Sequence, residues 1–206
     1  YIGRTLESIR SLNTSREYEL IVVDGGSEDG TRDIAREYGA TVYDQPEEIR
    51  GSIGLGRDYG ARKSEGDWLA FVDADTAVYP NHLDEMLEFA ESNGLVAATS
   101  RCRMTDVWRA KLMQATLNQI FSRMRRPVLP GFNFFVERQT YFGAGGFPDV
   151  PNEDTAFSLK LANYGDTAYH SEVLVESSGR RIAELGLTGT LIHYVLLDIG
   201  RYWAEY

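Results

Sequence analysis

The chain has 206 residues, 43% of them hydrophobic, which is enough for one sizeable core in a single domain. Its formal net charge of −10 argues against nucleic acid as a partner, because the phosphates would be repelled. A single cysteine, Cys102, excludes an internal disulfide framework, and no apolar run reaches the roughly eighteen residues of a membrane-spanning helix. We therefore expect a cytoplasmic protein.

Short apolar runs alternate with helical patterns through the first half of the chain. After a helix over 1–12, the spacing predicts strands over 19–23, 40–43, 68–72 and 95–99. Helices over 28–38, 52–64 and 82–92 separate them. This alternation implies βαβ units, and hence an α/β fold whose mainly parallel central sheet is flanked by helices.

The second half is less regular. The sequence predicts a long amphipathic helix over 107–124, a strand over 132–136, a helix over 154–164 closed by Gly165, a short strand over 173–176 and a helix over 182–202. We see no linker or repeat, and we therefore expect 1–206 to form one domain.

Two of the predicted strands end in acidic residues. Asp24 follows the first strand, and Asp73 and Asp75 follow the third. Ligands of open α/β sheets bind at the carboxyl ends of the strands. In an extended chain Asp73 and Asp75 would point the same way, presenting two carboxylates to one cation or one sugar.

Five segments, in order, resemble the motifs of family 2 glycosyltransferases. They are 22–31 (Val-Val-Asp-Gly-Gly-Ser-Glu-Asp-Gly-Thr), 56–61 (Gly-Arg-Asp-Tyr-Gly-Ala), 66–75 (Gly-Asp-Trp-Leu-Ala-Phe-Val-Asp-Ala-Asp), 145–147 with 152–155 (Gly-Gly-Phe, then Asn-Glu-Asp-Thr) and 178–181 (Ser-Gly-Arg-Arg). Each motif alone is weak evidence, but five in the family's order make chance agreement very improbable.

The resemblance implies a Rossmann-like GT-A fold and an inverting, metal-dependent enzyme. Such an enzyme moves a sugar from a nucleotide-diphosphate sugar to an acceptor hydroxyl or lipid phosphate, with a saccharide or a lipid-linked molecule as acceptor. The nucleotide-sugar half would cover about 1–100 and the acceptor half about 101–206.

The resemblance also assigns roles to individual residues. Asp154 would be the general base, and Glu153 would orient the acceptor or the base. Asp75 and Asp73 would hold Mn²⁺ or Mg²⁺. The nucleotide-sugar would be bound by Asp24, Gly25, Ser27, Arg57, Asp73, Arg180 and Arg181.

Structural alternatives exist for most of these residues. Asp24 could be a turn residue that caps the next helix. Arg57 could anchor the ribose or brace the Asp73 and Asp75 carboxylates, and its structural alternative is a surface salt bridge. Glu153 and Asp154 could merely complement the dipole of the helix they begin. The arginine pair 180–181 could be solvated.

The sequence departs from the family pattern at three places. The family's usual first strand, with its Pro-x-Tyr-Asn-Glu turn, would precede Tyr1 and is not in this sequence. Gly25 stands where the family has a second Asp, and Asp58 where it has Asn. Base recognition is therefore the role that the resemblance supports least.

Basic residues crowd one segment of this acidic chain. They are Arg101, Arg103, Arg109, Lys111, Arg123, Arg125 and Arg126. Within 107–126 they are interleaved with apolar side chains, so this segment could lie on anionic lipid at the inner face of a membrane or grip a lipid-phosphate acceptor. An amphipathic core helix with solvated arginines is the favoured interpretation.

Two other functions remain open at this stage. One is a non-catalytic relative that binds nucleotide-sugar, although the presence of Asp73, Asp75 and Asp154 together argues against it. The other is a sugar nucleotidyltransferase on a similar sheet, against which the Glu153-Asp154 pair argues.

Overall fold

The computed structural model describes residues 1–105, 110–124 and 126–179. Its helices are α1 (Ile2–Arg10), α2 (Thr31–Glu37), α3 (Ile53–Lys63), α4 (His82–Ser92), α5 (Ala110–Ala115), α6 (Arg138–Gly143) and α7 (Glu153–Leu161). Its strands are β1 (Ile21–Asp24), β2 (Thr41–Asp44), β3 (Trp68–Val72), β4 (Thr76–Val78), β5 (Leu95–Thr105), β6 (Asn133–Glu137) and β7 (Asp166–Ser178). Short 3₁₀ turns lie at Glu47–Ile49 and Phe121–Arg123.

The strands form two sheets. One is the parallel pair β1–β2, and the other has the order β3-β6-β5-β7-β4. Within the larger sheet only β5 and β7 pair in parallel, and the other three pairs are antiparallel. The α/β fold is thus confirmed, but the prediction of a mainly parallel sheet is wrong. Alternation of strands and helices shows which elements follow one another and cannot reveal that β6 runs between β3 and β5 in the opposite direction.

Aromatic side chains fill the core formed by β6, α6 and α7. Phe134 on β6 lies 5.3 Å from Phe147, and Phe147 lies 5.0 Å from Phe157 on α7, between ring centroids. Phe134, Phe157 and Tyr141 are fully buried. Burying such large rings stabilises the fold and fixes the first turn of α7 against β6.

The 107–124 helix is the second prediction that the structure changes. Among the described residues of this segment, which begin at 110, only Ala110–Ala115 is α-helical, and a wider π-type turn follows at Thr116–Ile120. The reason is Asn118, whose buried amide accepts from the Cys102 N–H at 3.0 Å and donates to the Cys102 carbonyl at 2.8 Å. These bonds hold the segment against β5. The predicted helix over 182–202 lies outside the described residues.

Strands β5 and β7 are much longer than predicted. They pair in parallel from Leu95 with Asp166 to Thr105 with Ser178, with shifts in register on the way, so each strand stabilises the other over most of its length. Gly165 does not close α7 as predicted, because the helix ends at Leu161. A glycine is required there for close packing, since a Cβ on Gly165 would lie 2.5 Å from Val96.

An apolar cleft of about 660 Å³ separates the two sheets. It is lined by side chains from both, among them Leu20 and Val22 on one side and Leu69 and Phe71 on the other. In the described part of the chain, the edge of β1 away from β2 and the edge of β3 away from β6 have no strand partner. No helix among the described residues is long and apolar enough to cross a membrane.

Candidate active site

Asp24 ends β1, and three donors hold its carboxylate. Its Oδ2 accepts from the backbone N–H of Gly26 at 3.0 Å and of Ser27 at 2.9 Å, and from Nε of Arg32 at 2.7 Å. Burial opposes ionisation, but these hydrogen bonds outweigh it and lower the pKa of Asp24 to about 2. The contacts are those of a turn carboxylate, and a role of Asp24 in nucleotide binding stays a prediction.

These contacts predict a pH-dependent contribution of Asp24 to stability. Because the pKa is lowered from its usual 3.8 to about 2, the charged carboxylate should contribute about 2 kcal/mol at neutral pH. The contribution is complete above about pH 4 and is lost as the pH falls through the folded-state value. We expect Asp24→Asn to reduce the free energy of unfolding by that amount at pH 7.

Urea unfolding of both proteins at several pH values between 7 and 2 checks this prediction. The two curves should converge as the pH approaches 2. A difference that stays constant down to pH 2 would show that the charge of Asp24 does not carry the effect.

Asp73 and Asp75 lie on a tight turn between β3 and β4. The Thr76 N–H donates to the Asp73 carbonyl at 2.9 Å, which reverses the chain. The expectation that both side chains point the same way in an extended strand is therefore wrong, because the chain is not extended there. The two carboxylates are instead neighbours on one short turn, half-buried at the edge of the larger sheet.

Arg57 joins this turn to the first turn of α7. It lies on α3, and its Nη2 is 2.6 Å from Asp73 Oδ1 while its Nη1 is 2.6 Å from Glu153 Oε1. Only 13% of its side chain is exposed. Burial opposes the charge, but attraction to Asp73, Glu153 and Asp154 outweighs it and raises the pKa of Arg57. Arg57 thus stays charged and braces the Asp73 carboxylate, as one interpretation of the sequence proposed, rather than forming a surface salt bridge.

Glu153 and Asp154 begin α7. Asp154 Oδ2 accepts from the Gly131 N–H at 2.9 Å, and Oδ1 accepts from the Thr155 N–H at 2.7 Å. Burial raises the pKa of Glu153, and the charge of Arg57 limits the increase. Both acids occupy the first turn, so they also complement the helix dipole, but their ties to Arg57 and Gly131 show that they do more than this.

The structure brings together four of the predicted residues through direct contacts or adjacent positions. Arg57, Asp73, Glu153 and Asp154 form one cluster, with Asp75 on the adjoining turn. The predicted residues Asp24, Gly25 and Ser27 belong to the turn after β1, in the other sheet. Arg180 and Arg181 lie outside the described residues.

The acids at the turn suit a divalent cation only if the donor supplies further ligands. The described ranges contain no group of three or more His, Cys, Asp or Glu side chains placed to hold a metal. Asp73 and Asp75 offer two carboxylates, which are ligands that Mg²⁺ and Mn²⁺ accept together with phosphate oxygens. The donor set therefore fits a cation that binds together with a diphosphate.

Sequence reasoning missed Gly131. Its backbone N–H holds the candidate base, and its missing Cβ leaves room for Arg57. The Pro130-Gly131 pair marks a turn in the sequence, but a turn signal does not reveal which side chain the N–H will meet.

In the sequence, Asp58 stands out only as a departure from the family pattern. Its Oδ1 accepts from the Tyr141 hydroxyl at 3.2 Å, and that hydroxyl also accepts from the Phe147 N–H. Gly146 has φ 69°, and a Cβ there would lie 2.2 Å from Asp58 Oδ1. Asp58 therefore supports the Gly-Gly-Phe turn that leads into α7.

Comparison with known sequences confirms the resemblance. The model of the family "Glycosyl transferase family 2" matches residues 1–144. The chain is 30% identical over 153 residues to glycosyltransferase AglE of Haloferax volcanii. This match covers 65% of this chain and 46% of that protein. It is also 30% identical over 131 residues to an undecaprenyl-phosphate 4-deoxy-4-formamido-L-arabinose transferase of Photorhabdus laumondii, covering 60% and 37%. The chain thus spans less than half the length of these curated relatives.

Solved structures show the same fold. TarS of S. aureus in complex with UDP-GlcNAc matches with a TM-score of 0.71 at 20% identity, over 87% of this chain and 55% of that one. The mannosyltransferase PcManGT from Pyrobaculum calidifontis, in complex with GDP-Man and Mn²⁺, matches with a TM-score of 0.68 at 21% identity, over 85% and 52%. The fold is that of GT-A glycosyltransferases, and the chain belongs to glycosyl transferase family 2.

Proposed function

We propose that this chain is the catalytic domain of an inverting, metal-dependent glycosyltransferase that uses a nucleotide-diphosphate sugar. The observation that carries the proposal is the Arg57 bridge. It joins Asp73, at the carboxyl end of β3, to Glu153, which directly precedes the candidate base Asp154. A donor-side carboxylate and an acceptor-side base thereby belong to one site, as single displacement at a sugar carbon requires.

Asp154 acts as the general base in this proposal. It removes the proton of an acceptor hydroxyl, whose oxygen attacks the anomeric carbon from the face opposite the diphosphate. The bond from the anomeric carbon to the diphosphate oxygen breaks as the new glycosidic bond forms, so the configuration inverts. The Gly131 N–H fixes the direction of the Asp154 carboxylate.

Asp73 and Asp75 contribute to catalysis at the leaving group, the nucleoside diphosphate. When a divalent cation is bound, Asp73 and Asp75 would hold it, and it would offset the negative charge of the departing diphosphate. The proposal that the donor is a nucleotide-sugar is supported by the fold neighbours, whose structures contain UDP-GlcNAc or GDP-Man, the latter with Mn²⁺.

A donor screen tests the proposed function. The full-length protein is incubated with UDP-, GDP- and dTDP-sugars and Mn²⁺ or Mg²⁺, with and without candidate acceptors, and the released nucleotide is identified. Glycosyl transfer releases nucleoside diphosphate. A parallel incubation contains sugar 1-phosphate and nucleoside triphosphate, and release of pyrophosphate there would instead show a nucleotidyltransferase. Tight donor binding without turnover would show a non-catalytic relative.

We further propose that the acceptor is lipid-linked and that the basic segment contacts the membrane. The described part of this segment combines the charged residues Lys111 and Arg123 with Leu112, Ile120 and Met124, which are 58%, 59% and 45% exposed. Exposed apolar groups beside cations suit an anionic lipid surface. The relative named for undecaprenyl-phosphate supports the same acceptor class.

The membrane proposal predicts binding to anionic vesicles. At low salt, the protein should sediment with phosphatidylglycerol vesicles and much less with phosphatidylcholine vesicles. Changing Arg123, Arg125 and Arg126 to Ser should remove most of the binding, at about 1 kcal/mol for each cation. As a control, Arg16, Arg36 and Arg62 are changed to Ser, since these exposed arginines lie elsewhere. Equal loss in both variants would mean that only net charge matters, and no binding of the wild type would support the core-helix interpretation.

A further inference from the structure

Helix α3 carries contacts between the nucleotide-side and acceptor-side halves. Near its start, the Ser52 hydroxyl donates to Asp149 Oδ1 at 2.7 Å. In its middle, Asp58 accepts from the Tyr141 hydroxyl. Arg57 lies between these contacts, so the residue that reaches Asp73 and Glu153 is itself fixed on a helix that is anchored to both halves.

The guanidinium of Arg57 is enclosed on several sides. Each terminal nitrogen is bonded to a carboxylate of a different half, Asp73 or Glu153, at 2.6 Å. The guanidinium carbon lies 5.5 Å from the ring centroid of Phe147. With both terminal nitrogens engaged and little of the side chain exposed, the position of the group is determined by the protein.

Gly131 completes this enclosure. A Cβ at Gly131 would lie 2.4 Å from Nη1 of Arg57 and 2.8 Å from its Cζ. Because the group that it would meet is held at both ends, it cannot swing away as a free side chain would. The same residue donates its N–H to Asp154 Oδ2. Arg57, Gly131 and Asp154 are therefore positioned together.

We propose that Arg57 is a positioning residue that sets the location of the donor-side carboxylate Asp73 relative to the acceptor-side base Asp154. It acts through Glu153 on one side and through its close packing against Gly131, where there is no room for a Cβ, on the other. This inference rests on the proposed function, since it assigns a purpose to the bridge within that reaction. It differs from the expectation drawn from the sequence, in which Arg57 binds the nucleotide-sugar itself.

The geometry requires a guanidinium rather than any positive charge. A planar guanidinium presents two terminal nitrogens in a fixed arrangement, so one group can hold two carboxylates at a set spacing. A lysine at position 57 keeps the charge but ends in a single ammonium. Misplacement of reacting groups by about 1 Å can cost about 10²-fold in rate.

The first test compares Arg57→Lys with the wild type in kcat, in KM for the donor and in the affinity for Mn²⁺ with UDP or GDP. We expect kcat for transfer to fall by about 10²-fold, while nucleotide affinity changes by less than about tenfold. An unchanged kcat would overturn the proposal, because charge alone would then suffice. A loss of nucleotide affinity that matches the loss of kcat would also overturn it and would make Arg57 a donor ligand.

The second test is independent of turnover and covers an Arg57 variant that folds poorly. Gly131→Ala is made in the wild type and in Arg57→Met, which removes the guanidinium, and Tm is measured for all four proteins. The Tm loss caused by Gly131→Ala should be clearly smaller in the Arg57→Met background, because the clash is gone. Gly143→Ala is the matched control, since its Cβ would meet only Tyr164 at 4.0 Å.

Failure of this inference and failure of the proposed function can be told apart. A wild-type protein that transfers no sugar from any donor would contradict the proposed function. The Tm comparison would still test whether Arg57 packs against Gly131. Equal Tm losses in the two backgrounds would show that Arg57 does not pack against Gly131. This result would overturn the inference even in an active enzyme.

Discussion

Replacing Asp154 with asparagine should lower the rate of sugar transfer by about 10²–10⁴-fold, the usual contribution of a general base. Asparagine has nearly the same size and can still accept the Gly131 hydrogen bond through its side-chain oxygen, but it cannot take a proton from the acceptor at neutral pH. The affinity for the nucleotide should remain nearly unchanged. Initial rates at saturating donor, together with nucleotide titration by calorimetry, check both parts.

Asp166→Asn is a suitable control for this variant. Asp166 begins β7 and is exposed, so the same chemical change there should leave the rate unaltered. Near-normal turnover by Asp154→Asn would exclude Asp154 as the base. A parallel loss in Asp166→Asn would show that the assay reports general damage to the fold.

Removing the Asp75 carboxylate should abolish the metal-dependent part of donor binding. A cation that bridges protein and diphosphate contributes several kcal/mol, so we expect Asp75→Ala to weaken the binding of UDP or GDP in Mn²⁺ by more than about tenfold. Without Mn²⁺ the wild type and the variant should bind equally weakly. Calorimetric titration of both proteins with and without Mn²⁺ measures this.

Asp67→Ala provides the comparison for Asp75→Ala. Asp67 is exposed and lies just before β3, whereas the turn that carries Asp73 and Asp75 lies just after it. Removal of the Asp67 carboxylate should therefore not affect nucleotide affinity. If wild type and Asp75→Ala bind nucleotide with the same affinity in all conditions, the cation is not held by this turn.

Local sequence signals predicted some elements residue by residue. The apolar run Trp68–Val72 is β3, and His82–Ser92 is α4, as the sequence indicated. These elements are bounded by strong local signals, an acidic turn after β3 and the pair Pro80-Asn81 before α4. Their limits depend on neighbours in sequence, which a pattern can show.

Contacts between distant segments decided the rest of the fold. The pairing of β5 with β7 extends both strands, and the placement of β6 makes the larger sheet mixed. Asn118 reshapes a segment whose apolar spacing favoured a continuous helix. None of these effects is visible in the periodicity of a single element.

In the candidate site, too, the sequence indicates individual residues but not the contacts between distant segments. The motifs point to Asp73, Glu153 and Asp154, and the structure links Asp73 to Glu153 through Arg57, with Asp154 next in sequence. The sequence indicates Asp73 as a partner of Arg57 but gives no sign of the second partner, Glu153, which lies 96 residues away in sequence. The sequence does not predict the hydrogen bond from the Gly131 N–H to Asp154, because every residue except proline has a backbone N–H and the two residues lie 23 positions apart.

The anomeric configuration of the product tests the central claim most directly. The full-length protein is supplied with an α-linked nucleotide-sugar, Mn²⁺ and an acceptor, and the new glycosidic linkage is identified by NMR before any further reaction. If Asp154 activates the acceptor on the face opposite the diphosphate, the product should be the β-anomer. An α-linked product would contradict a single displacement and with it the role of Asp154 as the base.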